Sequence, residues 1–256
     1  MNINHARLEI AGESNVGRVM PVNEDNFLIY APSGGESVLA VIADGIGGHS
    51  RGEVASGICC RMMLQAARST DSSRWDAGFL RRTVEEINAY IFDLNFRSRN
   101  ASPMGCTLAA ALFFRDRLIF AAAGDSRIYE YHRSGRGRPL RQLTTDHRPD
   151  WSTVSGRKKD PRHISLVSRS LGTVKHLDFD LREVPRPLRA KYLLCSDGLY
   201  KHQPEQMLAG VLGSGVPPRV MTGALLRNAM LAGERDNISV ICAATAREDE
   251  DRNGVA

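Results

Sequence analysis

Short apolar runs and two long amphipathic stretches alternate along the chain. Residues 7–11 (Arg-Leu-Glu-Ile-Ala) alternate in the manner of a strand, which Gly12 is expected to end. Residues 27–30 and 37–43 are apolar runs separated by Pro32-Ser33-Gly34-Gly35, and this pattern predicts a hairpin. Residues 52–68 carry Val54, Ile58 and Met62 on one helical face. A longer helix is expected over 76–97, where Leu80, Val84, Ile87, Ile91 and Leu94 form an apolar stripe. Two strands follow at 106–114 and 117–123, around Arg115-Asp116. Residues 132–170 are polar, basic and rich in Gly and Pro, a length of irregular chain that is usually functional or disordered. A strand beginning at Lys191, helices near 204–212 and 217–232, and a strand after Asp236 complete the pattern. With no internal repeat and no long linker, residues 1–245 read as one domain and the acidic segment 246–256 as a disordered tail.

Composition narrows the class. An apolar fraction of 42% and a charged fraction of 25% are those of an ordinary soluble protein. No apolar run approaches ~18 residues, so a membrane span is not expected, and the first residues lack the basic-then-apolar order of a signal peptide. Five cysteines without a CxxC pair read as reduced core residues, which places the chain in the cytoplasm. The net charge of +5 is uneven: between Tyr131 and His163 nine Lys/Arg face three Asp, a balance of +6. That stretch lacks the aromatic interleaving of a nucleic-acid surface, so no nucleic-acid partner is expected. A solvated loop or a surface for an acidic or phosphorylated partner fits it better.

The candidate chemistry lies where strands stop. The run Val38-Leu39-Ala40-Val41-Ile42-Ala43 delivers Asp44, and Gly45-Ile46-Gly47-Gly48-His49 follows. Alone, Asp44-Gly45 reads as a turn. The arrangement recurs, however, with Asp125 after Ala121-Ala122-Ala123-Gly124 and with Asp197 after Leu193-Leu194-Cys195-Ser196; Asp236 leads into the last strand. The 27–43 hairpin also brings Glu24 and Asp25 towards Asp44. Carboxylates gathered in this way raise one another's pKa and destabilise a fold unless a cation sits among them. All-oxygen donors suit Mg²⁺ or Mn²⁺ rather than zinc. Two such ions can turn water into a nucleophile near neutral pH and clamp a phosphoryl group for in-line attack.

The ordered set Asn23-Glu24-Asp25, Asp44-Gly45-Ile46-Gly47-Gly48-His49, Gly124-Asp125-Ser126-Arg127, Leu143-Thr144-Thr145-Asp146-His147, Arg169-Ser170-Leu171-Gly172, Ser196-Asp197-Gly198 and Asp236-Asn237-Ile238-Ser239 resembles the bacterial branch of the metal-dependent (type 2C) serine/threonine protein phosphatases. The resemblance spans residues 8–245. It implies an α+β fold: a four-layer α-β-β-α sandwich of two antiparallel sheets flanked by helices, with a binuclear site at one end. It also implies roles. Asp44 bridges both ions and Gly45 ligates one through its carbonyl; Asp197 and Asp236 complete the first ion's set; Glu24 and Asp25 support the second. Asp125 and Asp197 hold a third, weaker ion. A metal-bridged hydroxide then attacks phosphoserine or phosphothreonine directly, opposing a cognate Ser/Thr kinase. His49 is either the general acid or a group packed on the glycine loop. A monomer is expected, and the pathway served (secretion, cell wall or stress) is left open.

Two departures from the family pattern stand out. An Arg that holds substrate phosphate usually sits three residues before the Asn, where this chain has Met20. Arg18, on the same face if the strand is regular, is the candidate substitute or else a surface charge. The segment between His147 and Arg169, the flap beside the family's site, carries Arg157-Lys158-Lys159, which reads either as a substrate contact or as a solvated loop. The alternative to an enzyme is a weakly active phosphoprotein-binding module of the same fold.

Overall fold

The computed structural model describes residues 2–5, 8–33, 37–46, 51–98, 103–132, 139–148, 169–187 and 189–245. In chain order the strands and helices begin with β1 (Asn2–His5), β2 (Leu8–Asn15), β3 (Asp25–Tyr30) and β4 (Val38–Ile46). Then come α1 (Gly52–Ser69), α2 (Ala77–Ser98), β5 (Gly105–Cys106), β6 (Leu108–Phe113), β7 (Arg117–Ala123), β8 (Arg127–Tyr131) and β9 (Leu140–Gln142). The last third holds β10 (Asp180–Pro185), β11 (Lys191–Cys195), α3 (Asp197–Tyr200), α4 (Glu205–Gly213), α5 (Pro218–Leu231) and β12 (Ile238–Thr245).

These strands form two antiparallel six-stranded sheets. One runs β1-β2-β12-β11-β8-β9; the other runs β10-β7-β6-β4-β3, with β5 paired to β4. The period-2 side-chain alternation of each central strand serves two cores. From β4, Val38, Ala40 and Ile42 join Ile10, Ile29, Phe113, Phe120, Tyr192 and Ile241 between the sheets. The alternate residues Leu39, Val41 and Ala43 meet Ile58, Met63, Leu80, Val84 and Ile87 of α1 and α2. On the opposite side Leu193, Val240 and Cys242 pack against Leu208, Met221 and Leu225 of α4 and α5. Strands buried on both faces read as unbroken apolar runs, and that is the reason for the Val38–Ala43 and Leu108–Phe113 patterns. The expected four-layer sandwich is therefore the observed one. The five cysteines are all buried and free, and among the described residues no helix is long and apolar enough to cross a membrane.

Several elements differ from expectation for physical reasons. Gly12 does not end its strand: β2 continues to Asn15, with Gly12 opposite Ile241 on β12. A Cβ at Gly12 would lie 2.7 Å from Phe27 Cε2, so the glycine makes room for a ring from the other sheet. The strand holding Asp44 also runs on to Ile46, because Gly45 and Ile46 pair with Cys106 and Gly105. The strand expected over 106–114 breaks at Thr107, and Asp197 opens α3. Within the irregular stretch, β9 pairs with β8. The tail, His49 and the Arg157-Lys158-Lys159 cluster lie outside the described residues.

Candidate active site

The β3–β4 hairpin sets Asp25 directly opposite Asp44, one register step beyond Asn26 opposite Ala43. This is a like-charge cross-strand pair, unfavourable by itself. Asp25 is buried, and its Oδ2 accepts a 2.6 Å hydrogen bond from Ser196 Oγ. Its Oδ1 is buried with no protein partner. Burial first, then Asp197 and Asp236, push the Asp25 carboxyl up to about 7 against the bonds from Ser196 and Ser239. Asp44 is pushed well above the carboxylate range by burial and then by Asp25, Asp197, Asp125 and Asp236. Asp125 and Asp236 are raised by burial and, next, by Asp197. Glu24 is raised by burial and then by Glu53 and Asp236. The carboxylates expected from the sequence thus converge and feel one another.

Backbone placement does much of the convergence. Asn237 Oδ1 accepts from the Glu24 amide at 2.8 Å, while its Nδ2 donates to the Val16 carbonyl at 2.8 Å and the Val22 carbonyl at 3.1 Å. One side chain therefore ties the 16–24 loop to the start of β12. Ser196 Oγ receives the Ser239 amide at 2.9 Å while donating to Asp25, which joins β11 and β12 to β3. At the break between β5 and β6, Thr107 exchanges bonds with Asp44: its Oγ1 accepts from the Asp44 amide at 3.0 Å, and its amide donates to the Asp44 carbonyl at 2.8 Å. Thr107 Oγ1 is also 2.6 Å from Ser126 Oγ, beside Asp125. Gly45 has no room for a side chain, since a Cβ would lie 2.4 Å from Gly52 C and 2.7 Å from Glu24 O. Gly17, at φ +78, brings its α-carbon against the Asp236 carbonyl, where a Cβ would meet the oxygen at 2.1 Å.

Two cations enter the cluster, and both were missed in the sequence. Lys201 Nζ is 2.5 Å from Asp197 Oδ2 and 3.9 Å from Asp236 Oδ2. Arg148 Nη2 is 3.0 Å from Asp125 Oδ2. A signal for Lys201 did exist, because it lies four residues after Asp197 and would share its face of a helix. Arg148 carried none, since it lies 23 residues after Asp125, with β8 and β9 between them. The Asp146-His147 motif is structural here: Arg127 donates to Asp146 at 2.9 and 2.7 Å and lies over the Tyr200 ring, and the His147 amide donates to the Gly124 carbonyl at 2.8 Å. These contacts hold the corner that presents Asp125.

Beside Asp236 an open cleft of about 310 Å³ runs between Val19 and Met20 on one side and Lys201, Glu234, Arg235 and Asp236 on the other. Arg18 is exposed and does not line it. Because β2 ends at Asn15, strand geometry does not carry to Arg18 and Met20, so alternation does not place them on one face.

The donor chemistry suits hard divalent cations: carboxylates only, mutually raised, with one buried orphan oxygen on Asp25. Among the described residues, no three His, Cys, Asp or Glu side chains are drawn together as a finished cage.

Comparison with known proteins agrees with the site. The protein phosphatase 2C family model matches residues 12–210. A serine/threonine phosphatase, Stp, of Listeria monocytogenes is 30% identical over 235 residues, covering 88% of this chain and 91% of its own. The solved catalytic domain of the serine/threonine protein phosphatase PstP, in complex with two manganese ions, is 28% identical with a TM-score of 0.77, over 94% of this chain and 99% of that one. The structure of PppA, described as a key regulatory component of the type VI secretion system of Pseudomonas aeruginosa, is 27% identical with a TM-score of 0.79, over the same shares. The chain belongs to the protein phosphatase 2C family, and it is a protein phosphatase. These phosphatase relatives do not favour the alternative of a weakly active phosphoprotein-binding module.

Proposed function

We propose that the chain removes phosphate from phosphoserine and phosphothreonine in proteins, using two Mn²⁺ or Mg²⁺ ions held at the Asp25–Asp44 end of the sandwich. The observation that carries this is the Asp25–Asp44 cross-strand pair, whose Asp44 also feels the charges of Asp197, Asp125 and Asp236. Such a pair is costly unless cations neutralise it. Glu24, Asp25, Asp44, the Gly45 carbonyl, Asp197 and Asp236 are the groups that would hold the ions; the two manganese ions of the PstP catalytic domain support the count. Bound there, the ions supply a water-derived nucleophile near neutral pH and neutralise the phosphoryl oxygens.

The chain's own residues orient and screen. Ser196 fixes the Asp25 carboxyl, Asn237 fixes the Glu24 backbone, and Thr107 fixes the Asp44 backbone. The cleft beside Asp236 receives the substrate residue and its flanks. His49 is the general acid for the leaving alkoxide, and Arg18, next to the cleft-lining Val19 and Met20 but not itself lining the cleft, contacts the phosphate from its edge. Arg157, Lys158 and Lys159 meet the phosphoprotein. The substrates are products of a Ser/Thr kinase, and the protein acts in the cytoplasm as a monomer.

The test is Mn²⁺-dependent turnover of a phosphothreonine peptide, beside Asp44→Asn and Asp197→Asn. Turnover that needs Mn²⁺ and is lost in both variants supports the reading; metal-independent turnover, or activity retained in both, overturns it. His49→Gln is expected to lower kcat on poor leaving groups, and Arg18→Ala to raise KM.

A further inference from the structure

Family resemblance places a third, weaker ion between Asp125 and Asp197. In this chain both carboxylates already carry a side-chain cation, Lys201 on Asp197 at 2.5 Å and Arg148 on Asp125 at 3.0 Å. Neither is a loose surface charge. Lys201 follows Asp197 by one turn, its amide donates to the Asp197 carbonyl at 3.0 Å, and its side chain is 29% exposed. Arg148 Nη2 also donates to the Tyr200 hydroxyl at 3.0 Å, and that hydroxyl donates to the Asp125 carbonyl at 2.8 Å. Both Arg148 bonds leave from Nη2, and Arg148 Nε lies 3.9 Å from Asp146 Oδ2, too far for a hydrogen bond but close enough for attraction between the charges. A divalent ion entering between Asp125 and Asp197 would face an ammonium and a guanidinium and would have to displace both, because like charges this close repel strongly in a partly buried site.

We infer that Lys201 and Arg148 take the place of the third ion, so that this chain binds two divalent ions and no third. The inference rests on the two-ion reading above. Its consequence is a phosphatase without a low-affinity metal phase: the charge that a weakly bound ion would supply at this corner is built into the chain.

Counting Mn²⁺ tests it, by calorimetric titration and by electron paramagnetic resonance on the full chain. Wild type is expected to bind two ions with no further uptake at millimolar Mn²⁺. Lys201→Asp with Arg148→Gln removes both cations and adds a carboxylate one turn from Asp197, and is expected to bind three. Lys201→Gln alone, which needs no new charge inside the fold, is expected to show a weak third uptake, with anomalous scattering placing the ion between Asp125 and Asp197. A third ion at that place in wild type, or a count of two in every folded variant, overturns the inference. Wild type binding fewer than two ions overturns the two-ion reading itself, and this inference with it.

Discussion

Asp25 and Asp44 face each other across the β3–β4 ladder, two aspartates on paired strands where most hairpins avoid like charges. The hydrophobic faces of β3 and β4 leave no choice of register, because a one-residue slip would turn Val38, Ala40 and Ile42 out of the inter-sheet core. Core packing thus enforces an electrostatic arrangement that would not form by itself.

This strain has a pH signature. Asp25 holds its proton up to about pH 7 in the folded chain, against 3.8 for an ordinary aspartate. Between those values the folded chain binds more protons than the unfolded one, so stability falls as pH rises. In chelator, Tm is expected to decline from about pH 4 to about pH 7, and Mn²⁺ to restore more stability at the upper end, where protons no longer compete for the ligands. Asp25→Asn is expected to flatten the profile. Thermal scans across that range, with and without Mn²⁺, check this; a Tm in chelator that climbs with pH would contradict it.

Ser196→Ala removes the bond that aims Asp25 and leaves the Ser239 amide without its acceptor. Losing an outer-shell partner of this kind typically costs roughly 10–100-fold in metal affinity or activity. Mn²⁺ titration should show the loss as a raised Kd, with a smaller change in kcat at saturating metal.

Asn237→Ala leaves the Glu24 amide and the Val16 and Val22 carbonyls without their partner. The expected destabilisation is about 2 kcal/mol, or roughly 4–8 °C in Tm for a chain of this size. Because the freed loop carries Glu24, Mn²⁺ affinity should fall as well. A stable variant with unchanged affinity would show that the staple is dispensable.

Gly45→Ala places a methyl group 2.4 Å from the Gly52 backbone and 2.7 Å from the Glu24 carbonyl. Backbone cannot step aside as a side-chain end can, so the start of α1 or the Glu24 loop must move. An overpacking cost of about 1–3 kcal/mol is expected, together with a loss of turnover larger than the loss of stability. Gly210→Ala, where a Cβ would meet nothing within 4 Å, is the control and should be neutral or slightly stabilising.

Much of this was written in local pattern. The stepping of Leu80, Val84, Ile87 and Ile91 specifies α2, since four apolar side chains at that spacing share one helical face. The apolar run before Asp44 and the Pro32-Ser33-Gly34-Gly35 break specify the hairpin that pairs Asp25 with Asp44. Strand ends were less legible. Gly12 reads as a stop, yet β2 passes through it because a ring from the opposite sheet, Phe27, occupies the space a side chain would need. Thr107 gave no sign of joining Asp44 to Ser126, since the three meet only once β4, β6 and β7 are side by side.

The sequence by itself determined which carboxylates the site contains and that they sit where apolar strands meet loops, because burial periodicity and glycine placement are local properties of the chain. Tertiary structure decided most of what else stands among them. Lys201 is set beside Asp197 by its own helical turn but reaches Asp236 only when α3 is laid against the start of β12, and Arg148 reaches Asp125 only when the chain after β9 folds back over Tyr200. Charge is counted along a sequence, but its effect depends on distance through space, and that distance is set by the packing of the two sheets and their helices.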